Sequence, residues 1–402
     1  MNAPHRDNVR KRLLDLIRRN GPVARIDLAE ASGVSRATVT TITADLIAEG
    51  MVEEVSSDQP SEERMRRGRP RVDLVIRNRA HLVAGMKIAS RSISVALVDF
   101  NGQLFAEAEA GLPAPVLEAD ALAEVLRSAL LAALSPHGLS LKDVSAVGIG
   151  IAGIVDAMRG FVYWSPSLKE RNLALQDIIA ARLGLPICLD NDANLVAMAE
   201  KSFGYGKDAS DFLVVTVESG VGMGVVLNGE IYRGTRGCGA EFGHTKVHLD
   251  GALCRCGQRG CLEAYVADYS LLREQASIAP ETLDLPPEQR IEMLLDAARQ
   301  GDDVASSIVA RAGRMFALGL ANLVNIFDPQ LIILAGERMQ FDHLYAEEVM
   351  AAMRASIVQI DKAPPEVKIH KWGDLMWARG AAAFALEWVT EKAAQDATVS
   401  AG

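Results

Sequence analysis

The chain has 402 residues, 49% hydrophobic and 23% charged, which excludes disorder and collagen and suits a soluble globular protein of roughly two to four domains. No apolar run approaches the ~18 residues of a membrane span, and the first eight residues lack the apolar stretch of a signal peptide, so a cytoplasmic protein with no membrane partner is expected. Lys and Arg number 42 against 52 Asp and Glu, a net charge of −10 that excludes a polycation; yet residues 1–80 hold 15 basic against 12 acidic side chains and the remainder 27 against 40.

Val9, Leu13, Leu16 and Ile17 recur at helical spacing and stop at Asn20-Gly21-Pro22. A second helix is predicted over 26–31, a turn at Ser32-Gly33, and a third helix with Ser35 as its N-cap and Val39, Ile42 and Leu46 on its core face. This turns Ala37, Thr40, Thr41 and Ala44 outward beside Arg36. Small side chains let a helix lie deep in a major groove while an Arg reaches guanine or phosphate and Thr methyls meet thymine. The alternative is a three-helix packing unit with a polar outside.

Residues 51–55 and 72–76 read as two paired strands, which completes a winged helix-turn-helix. The loop between them carries Arg64, Arg66, Arg67, Arg69 and Arg71 around Gly68 and Pro70, and its Arg-Gly-Arg-Pro-Arg core resembles an AT-hook, whose slim backbone inserts Arg side chains into the minor groove of A·T-rich DNA. A solvated charged linker is the alternative. Against it, the first 80 residues use Arg almost to the exclusion of Lys, with Lys11 alone.

From His81 onward the pattern is β-hairpins and βα alternation. Strands are predicted over 82–89, 93–100 and 103–108, with Asn101-Gly102 as a type I′ turn, then a helix over 122–134, a buried strand over 144–151, a helix over 173–183, a strand over 186–189 and a helix over 193–201. A second meander starts at Phe212 with its own Asn228-Gly229 turn, so an internal duplication is expected. Long helices follow over 305–326 and after Gly380.

His244, Cys254, Cys256 and Cys261 offer one imidazole and three thiols at spacings x9, x1 and x4, a set suited to a closed, tetrahedral, structural Zn2+ site. Ordinary reduced thiols on a Gly-rich loop are the alternative. Cys188 and Cys238 fall outside the pattern and are expected to be buried small apolar residues. A metal knot would fix nearby Glu241 and Glu263 at defined angles; without it each would read as a solvated charge. Asn191 and Asp192 stand between a strand and a helix, where capping alone would account for them.

Asn191-Asp192-Ala193-Asn194, Glu241-Phe242-Gly243-His244 and the run Cys254-Arg255-Cys256-Gly257-Gln258-Arg259-Gly260-Cys261-Leu262-Glu263 resemble the ROK family of repressors and sugar kinases over nearly the whole chain. The resemblance implies an α/β fold: an N-terminal winged helix-turn-helix, then a two-lobed, actin-like ATPase (ribonuclease H-like) body with a structural zinc site and a sugar in the interlobe cleft. It implies that Glu241, His244 and Glu263 bind sugar hydroxyls, that Asn191 is a sugar ligand, and that Asp192 is the general base of the kinases. A carboxylate gains about 1.5–3 kcal/mol per charge-assisted bond to a hydroxyl. The expected division is a DNA-binding domain over 1–79, a first lobe over 80–200 completed by a helix at about 373–395, and a second lobe over 201–372.

The kinase pattern departs at three places. The Asp-x-Gly-Gly-Thr hairpin of the family's kinases reads Lys87-Ile88-Ala89-Ser90-Arg91, the second phosphate loop reads Glu218-Ser219-Gly220-Val221-Gly222-Met223-Gly224, and Leu334-Ala335-Gly336-Glu337 stands where a run of glycines is usual. Phosphoryl transfer depends on positioning and neutralising phosphate, so no enzyme activity is expected. The expectation is a sugar-responsive repressor whose Ser35, Arg36, Thr40, Thr41, Arg67, Arg69 and Arg71 contact double-stranded, palindromic, A·T-rich operator DNA. It would act as a homodimer or homotetramer in which sugar-driven lobe closure changes the spacing of paired winged helices. The alternatives are an ATP-dependent sugar kinase carrying a DNA-binding domain, and a constitutive DNA-binding protein.

Overall fold

The computed structural model describes residues 3–56, 72–336, 339, 342–371, 373 and 375–399. By its internal contacts the chain forms two units, Met1–Ile151 with Gly160–Asp190 and Ala381–Gly402, and Ala152–Arg159 with Asn191–Gly380.

The first unit opens with α1 (Ala3–Asn20), β1 (Val23–Ala24), α2 (Arg25–Ser32), α3 (Arg36–Ala48), β2 (Val52–Ser56) and β3 (Val72–Ile76). Gly33 ends α2 with φ 66°, a conformation that costs a residue without Cβ little, and Ser35 Oγ then accepts from Thr38 N at 3.2 Å to cap α3. Val39, Ile42 and Leu46 of α3 are buried with Leu13, Leu14 and Ile17 of α1. The wing pairs Val52 with Ile76 in antiparallel register, and β1 adds to the other edge of β3. The sequence did not predict β1, because two residues have no periodicity to read.

The same unit continues with β4 (Leu82–Ile88), β5 (Ser92–Asp99), β6 (Leu104–Gly111), α4 (Ala119–Leu134), β7 (Ala146–Ile151), β8 (Ile154–Asp156, in the second unit), β9 (Phe161–Trp164), α5 (Leu175–Leu183) and β10 (Ile187–Asn191). The main sheet has the order β10-β7-β4-β5-β6, antiparallel along the meander and parallel between β4 and β7. The β5–β6 turn is not the expected type I′: Gly102 alone has positive φ, 84°. The Asp99 carboxylate accepts from Asn101 N and Gln103 N, at 3.0 and 2.9 Å, and holds a longer loop instead. The winged helix shares one apolar core with this sheet, in which Leu13, Ile17 and Leu74 are buried together with Val83, Val98 and Phe100.

The second unit holds α6 (Asp192–Phe203), β11 (Phe212–Val217), β12 (Val221–Leu227), β13 (Glu230–Ile231), α7 (Glu263–Val266), α8 (Asp268–Ile278), α9 (Pro287–Arg299), α10 (Asp303–Phe327), β14 (Leu331–Ala335), α11 (Glu347–Ser356), β15 (Glu366–His370) and the first residues of α12 (Leu375–Val399). Its sheet runs β13-β12-β11-β14-β15, with β11 antiparallel to β12 and parallel to β14. Read from the other edge, this order repeats that of the first sheet strand for strand, as a duplication requires. Asn228 and Gly229 both take positive φ, 52° and 75°, so the second hairpin does have the predicted turn. Among the described residues α10 alone is long and apolar enough to cross a membrane, and burial of Ala312, Phe316, Leu320 and Leu323 in the unit's core accounts for that apolarity.

Candidate functional site

On α3 the side chains of Arg36, Ala37, Thr40, Thr41 and Ala44 are exposed, opposite the buried face. The hydroxyls of Thr40 and Thr41 donate to the carbonyls of Arg36 and Ala37, at 2.8 and 3.1 Å, which leaves their methyl groups as the outward chemistry of this face. Ser35 is already engaged as the cap. Arg67, Arg69 and Arg71 lie outside the described residues.

All five expected sugar ligands fall in the second unit. Asn191 caps α6 through Oδ1, which accepts from Ala193 N at 2.9 Å, while its Nδ2 donates to the carbonyl of Gly153 at 2.8 Å. Asp192 also accepts from Ala193 N at 2.9 Å. Capping therefore holds as a structural role for both residues. The far end of α6 is pinned as well: buried Glu200 accepts from Tyr205 N at 2.8 Å and meets His370 Nδ1. Burial pushes the Glu200 carboxyl up to about 7 and the His370 imidazole down to about 4.

Gly222 and Gly224 seat this helix. A Cβ on Gly224 would lie 2.5 Å from Ala197 Cβ and one on Gly222 2.8 Å from Ala193 Cβ, so these glycines let α6 approach β12. The turn that precedes them is closed from within. Glu218 N donates to Gly220 O at 2.9 Å, Asp268 N donates to Glu218 O at 3.1 Å, and Val221 N donates to Glu263 Oε2 at 3.3 Å. In the first hairpin Lys87 is buried and Arg91 exposed.

Glu241 precedes the 3-10 turn Phe242–His244, whose Phe242 is buried against Gly319 of α10 and so anchors the strap. Glu241 Oε2 lies 4.0 Å from His244 Nε2. Partial burial, then the neighbouring charges of Glu263 and Asp192, push the Glu241 carboxyl up to about 7. Glu263 of α7 and Asp192 of α6 thus both act on Glu241 of the strap, which groups three acids around one carboxyl. Polyhydroxylated ligands suit such a cluster, since each hydroxyl donates to a carboxylate.

On the other side of His244, Nδ1 is 3.7 Å from Cys254 Sγ, and Cys256 Sγ is 3.7 Å from Cys261 Sγ. The four ligand atoms all lie within 4.8 Å of one another, so this cluster can hold a metal ion. The loop between the cysteines is folded by Cys254 N donating to Gln258 O at 2.8 Å and by Gly257 and Gly260 at positive φ. Gly260 is obligatory there, because a Cβ would sit 1.7 Å from the carbonyl oxygen of His248. Sequence reading missed two donors to this cluster, Lys246 and Tyr269. Cys188 is buried, as expected, with its thiol pushed up to about 12 by burial; Cys238, only partly buried, donates to the carbonyl of Val155 at 3.7 Å.

Comparison with known proteins places residues 83–388 within the model of the ROK family and residues 6–53 within that of a winged helix-turn-helix DNA-binding domain. The chain is 28% identical over 330 residues to the DNA-binding transcriptional dual regulator NagC of Escherichia coli K12, covering 81% of this chain and 80% of that one. It is 33% identical over 266 residues to a glucokinase of Streptomyces coelicolor, covering 63% of this chain and 81% of the other. A solved ROK family transcriptional regulator, described as a homologue of the E. coli MLC protein, matches with a TM-score of 0.82 and 24% identity over 100% of both chains, a likeness of fold.

Proposed function

The chain belongs to the ROK family, and we propose that it is a sugar-responsive DNA-binding transcriptional repressor. The observation that carries this is the pairing, in one chain, of an exposed helix face of small residues and Arg36 with a three-carboxylate cluster in the second unit. The functional modules are 1–79 for DNA, 80–200 with the helix at about 373–395, and 201–372. Ser35, Arg36, Thr40 and Thr41, with Arg67, Arg69 and Arg71 of the wing loop, contact a palindromic, A·T-rich operator bound by a homodimer or homotetramer. A sugar or sugar derivative engages Asn191, Asp192, Glu241, His244 and Glu263 and changes operator affinity. The protein works in the cytoplasm.

The metal is Zn2+, held by His244 Nδ1 and the thiolates of Cys254, Cys256 and Cys261. The donor set fits: a tetrahedron with metal–sulfur bonds of about 2.3 Å has edges of about 3.8 Å, close to the separations above. Zinc supplies a covalent-strength cross-link with no open position, and His244 keeps Nε2 for the ligand side. Kinase chemistry is absent on this reading, because a base replaces the acid at Lys87 and Glu218 brings negative charge to the second loop.

The test is binding of the purified chain to an operator selected from random duplexes, titrated with a panel of sugars and sugar phosphates without and with ATP. Release by one sugar without ATP supports the reading. ADP formation that needs both a sugar and Asp192 would establish the kinase instead, and indifference to every sugar would leave a constitutive binder.

A further inference from the structure

A zinc ion with three thiolates and a neutral imidazole carries a net charge of −1, and here it would sit beside the carboxylates of Glu241 and Glu263 in a chain already at −10. Such a site needs a cation. Lys246 pairs across an antiparallel bridge with Cys261, fixed on either side by Val247 N donating to Gly260 O and Leu262 N to Thr245 O, each at 2.9 Å. Opposed residues in antiparallel pairing project to the same face, so the ammonium of Lys246 reaches Cys261 Sγ at 2.8 Å.

The other buried sulfur has its own donor. Tyr269 Oη donates to Cys254 Sγ at 3.5 Å, and the guanidinium of Arg255 stacks 4.0 Å from the centre of the Tyr269 ring, holding it in place. Cys256 differs from both. It is exposed, and its sulfur faces those of Cys261, at 3.7 Å, and of Cys254.

We propose that Lys246 and Tyr269 are positioning residues of the metal site, Lys246 supplying its compensating charge, and that Cys256 is the thiolate through which the site opens. The inference rests on the zinc reading above. A donor to a thiolate withdraws electron density from sulfur and lowers its nucleophilicity, so two of the three thiolates are quenched and the exposed one is not.

The experiment uses the purified full chain. Zinc content is measured by mass spectrometry, then zinc release to a colorimetric chelator is followed for the wild type, Lys246→Met, Lys246→Arg and Tyr269→Phe. Lys246→Met should release zinc about tenfold faster and Lys246→Arg near the wild-type rate. Raising salt from about 50 mM to about 500 mM should speed release from the wild type but not from Lys246→Met, because salt screens an ammonium that the variant lacks. Tyr269→Phe keeps the ring and should speed release less. Iodoacetamide on the zinc-loaded protein should alkylate Cys256 before Cys254 or Cys261. Zinc in the wild type with equal release from Lys246→Met, or first alkylation at a buried cysteine, overturns this inference alone; a wild type without zinc overturns the metal reading beneath it.

Discussion

The guanidinium of Arg18 donates from Nε to the carbonyl oxygen of Phe100 at 3.1 Å and lies 5.2 Å from the centre of the same residue's ring. One side chain of the first helix thereby grips the hairpin that follows β5. The same guanidinium reaches Thr390 Oγ1 at 3.2 Å and Asp15 at 2.9 Å, while Lys11 pairs with Glu391 and Glu387 of α12 at 2.5 and 3.6 Å. The DNA-reading module is therefore fastened to its neighbours by directed contacts as well as by a shared core.

Arg18→Ala should loosen that fastening. Loss of charge-assisted bonds from a mostly buried group should cost about 1–3 kcal/mol. Amide hydrogen exchange in 3–50 should accelerate relative to the sheet of the first unit. Equal exchange in both regions would show that the apolar core alone holds the module.

Arg36→Ala should weaken specific operator binding by about 1–3 kcal/mol, and Thr40→Ala by less, because a methyl contact is smaller than a bidentate one. Arg69→Ala should reduce the slope of affinity against salt. Fluorescence anisotropy at several salt concentrations measures all three, and unchanged binding throughout would remove α3 and the wing from the interface.

Cys256→Ser should abolish stoichiometric zinc and the response to sugar together, since on the zinc reading the metal would hold the loop that leads into Glu263. Metal analysis and operator release on one preparation decide it. A metal-free variant that still answers to sugar contradicts the role given to the cross-link.

Stability should depend on pH through Glu200 and His370. The folded Glu200 carboxyl sits at about 7 against an ordinary 4.5, so folding takes up a proton and stability falls as pH rises through that window. His370 sits at about 4 against 6.5, so folding expels a proton and stability rises with pH there. The two effects oppose each other between 4.5 and 6.5, leaving a plateau and a decline from 6.5 to about 7. Glu200→Gln should abolish the decline while keeping the loss toward acid. Urea midpoints across this range measure it, and a variant profile identical to the wild type would exclude the pair.

Elements with strong periodicity were legible in the sequence to within a few residues, because burial of Val39, Ile42 and Leu46, or of alternate strand positions, is what shapes them. The β5–β6 turn was misread because Asp99, outside the two-residue signal, supplies the bonds that set it. At the candidate site the acids and cysteines stood out by type and spacing. Lys246 did not: its meeting with Cys261 is created by a bridge between chain segments fifteen residues apart, and nothing local to either announces it.

The two sheets keep the same strand order although the hairpin turns at one end of each, Ala89 to Ser92 and Glu218 to Gly220, depart from the kinase pattern. Strand order is secured by fully buried strands such as β7 and β11 and does not depend on the residues at the turns. An inherited chassis of this kind can outlast its engine, and so likeness of architecture alone does not tell a motor from a thermostat.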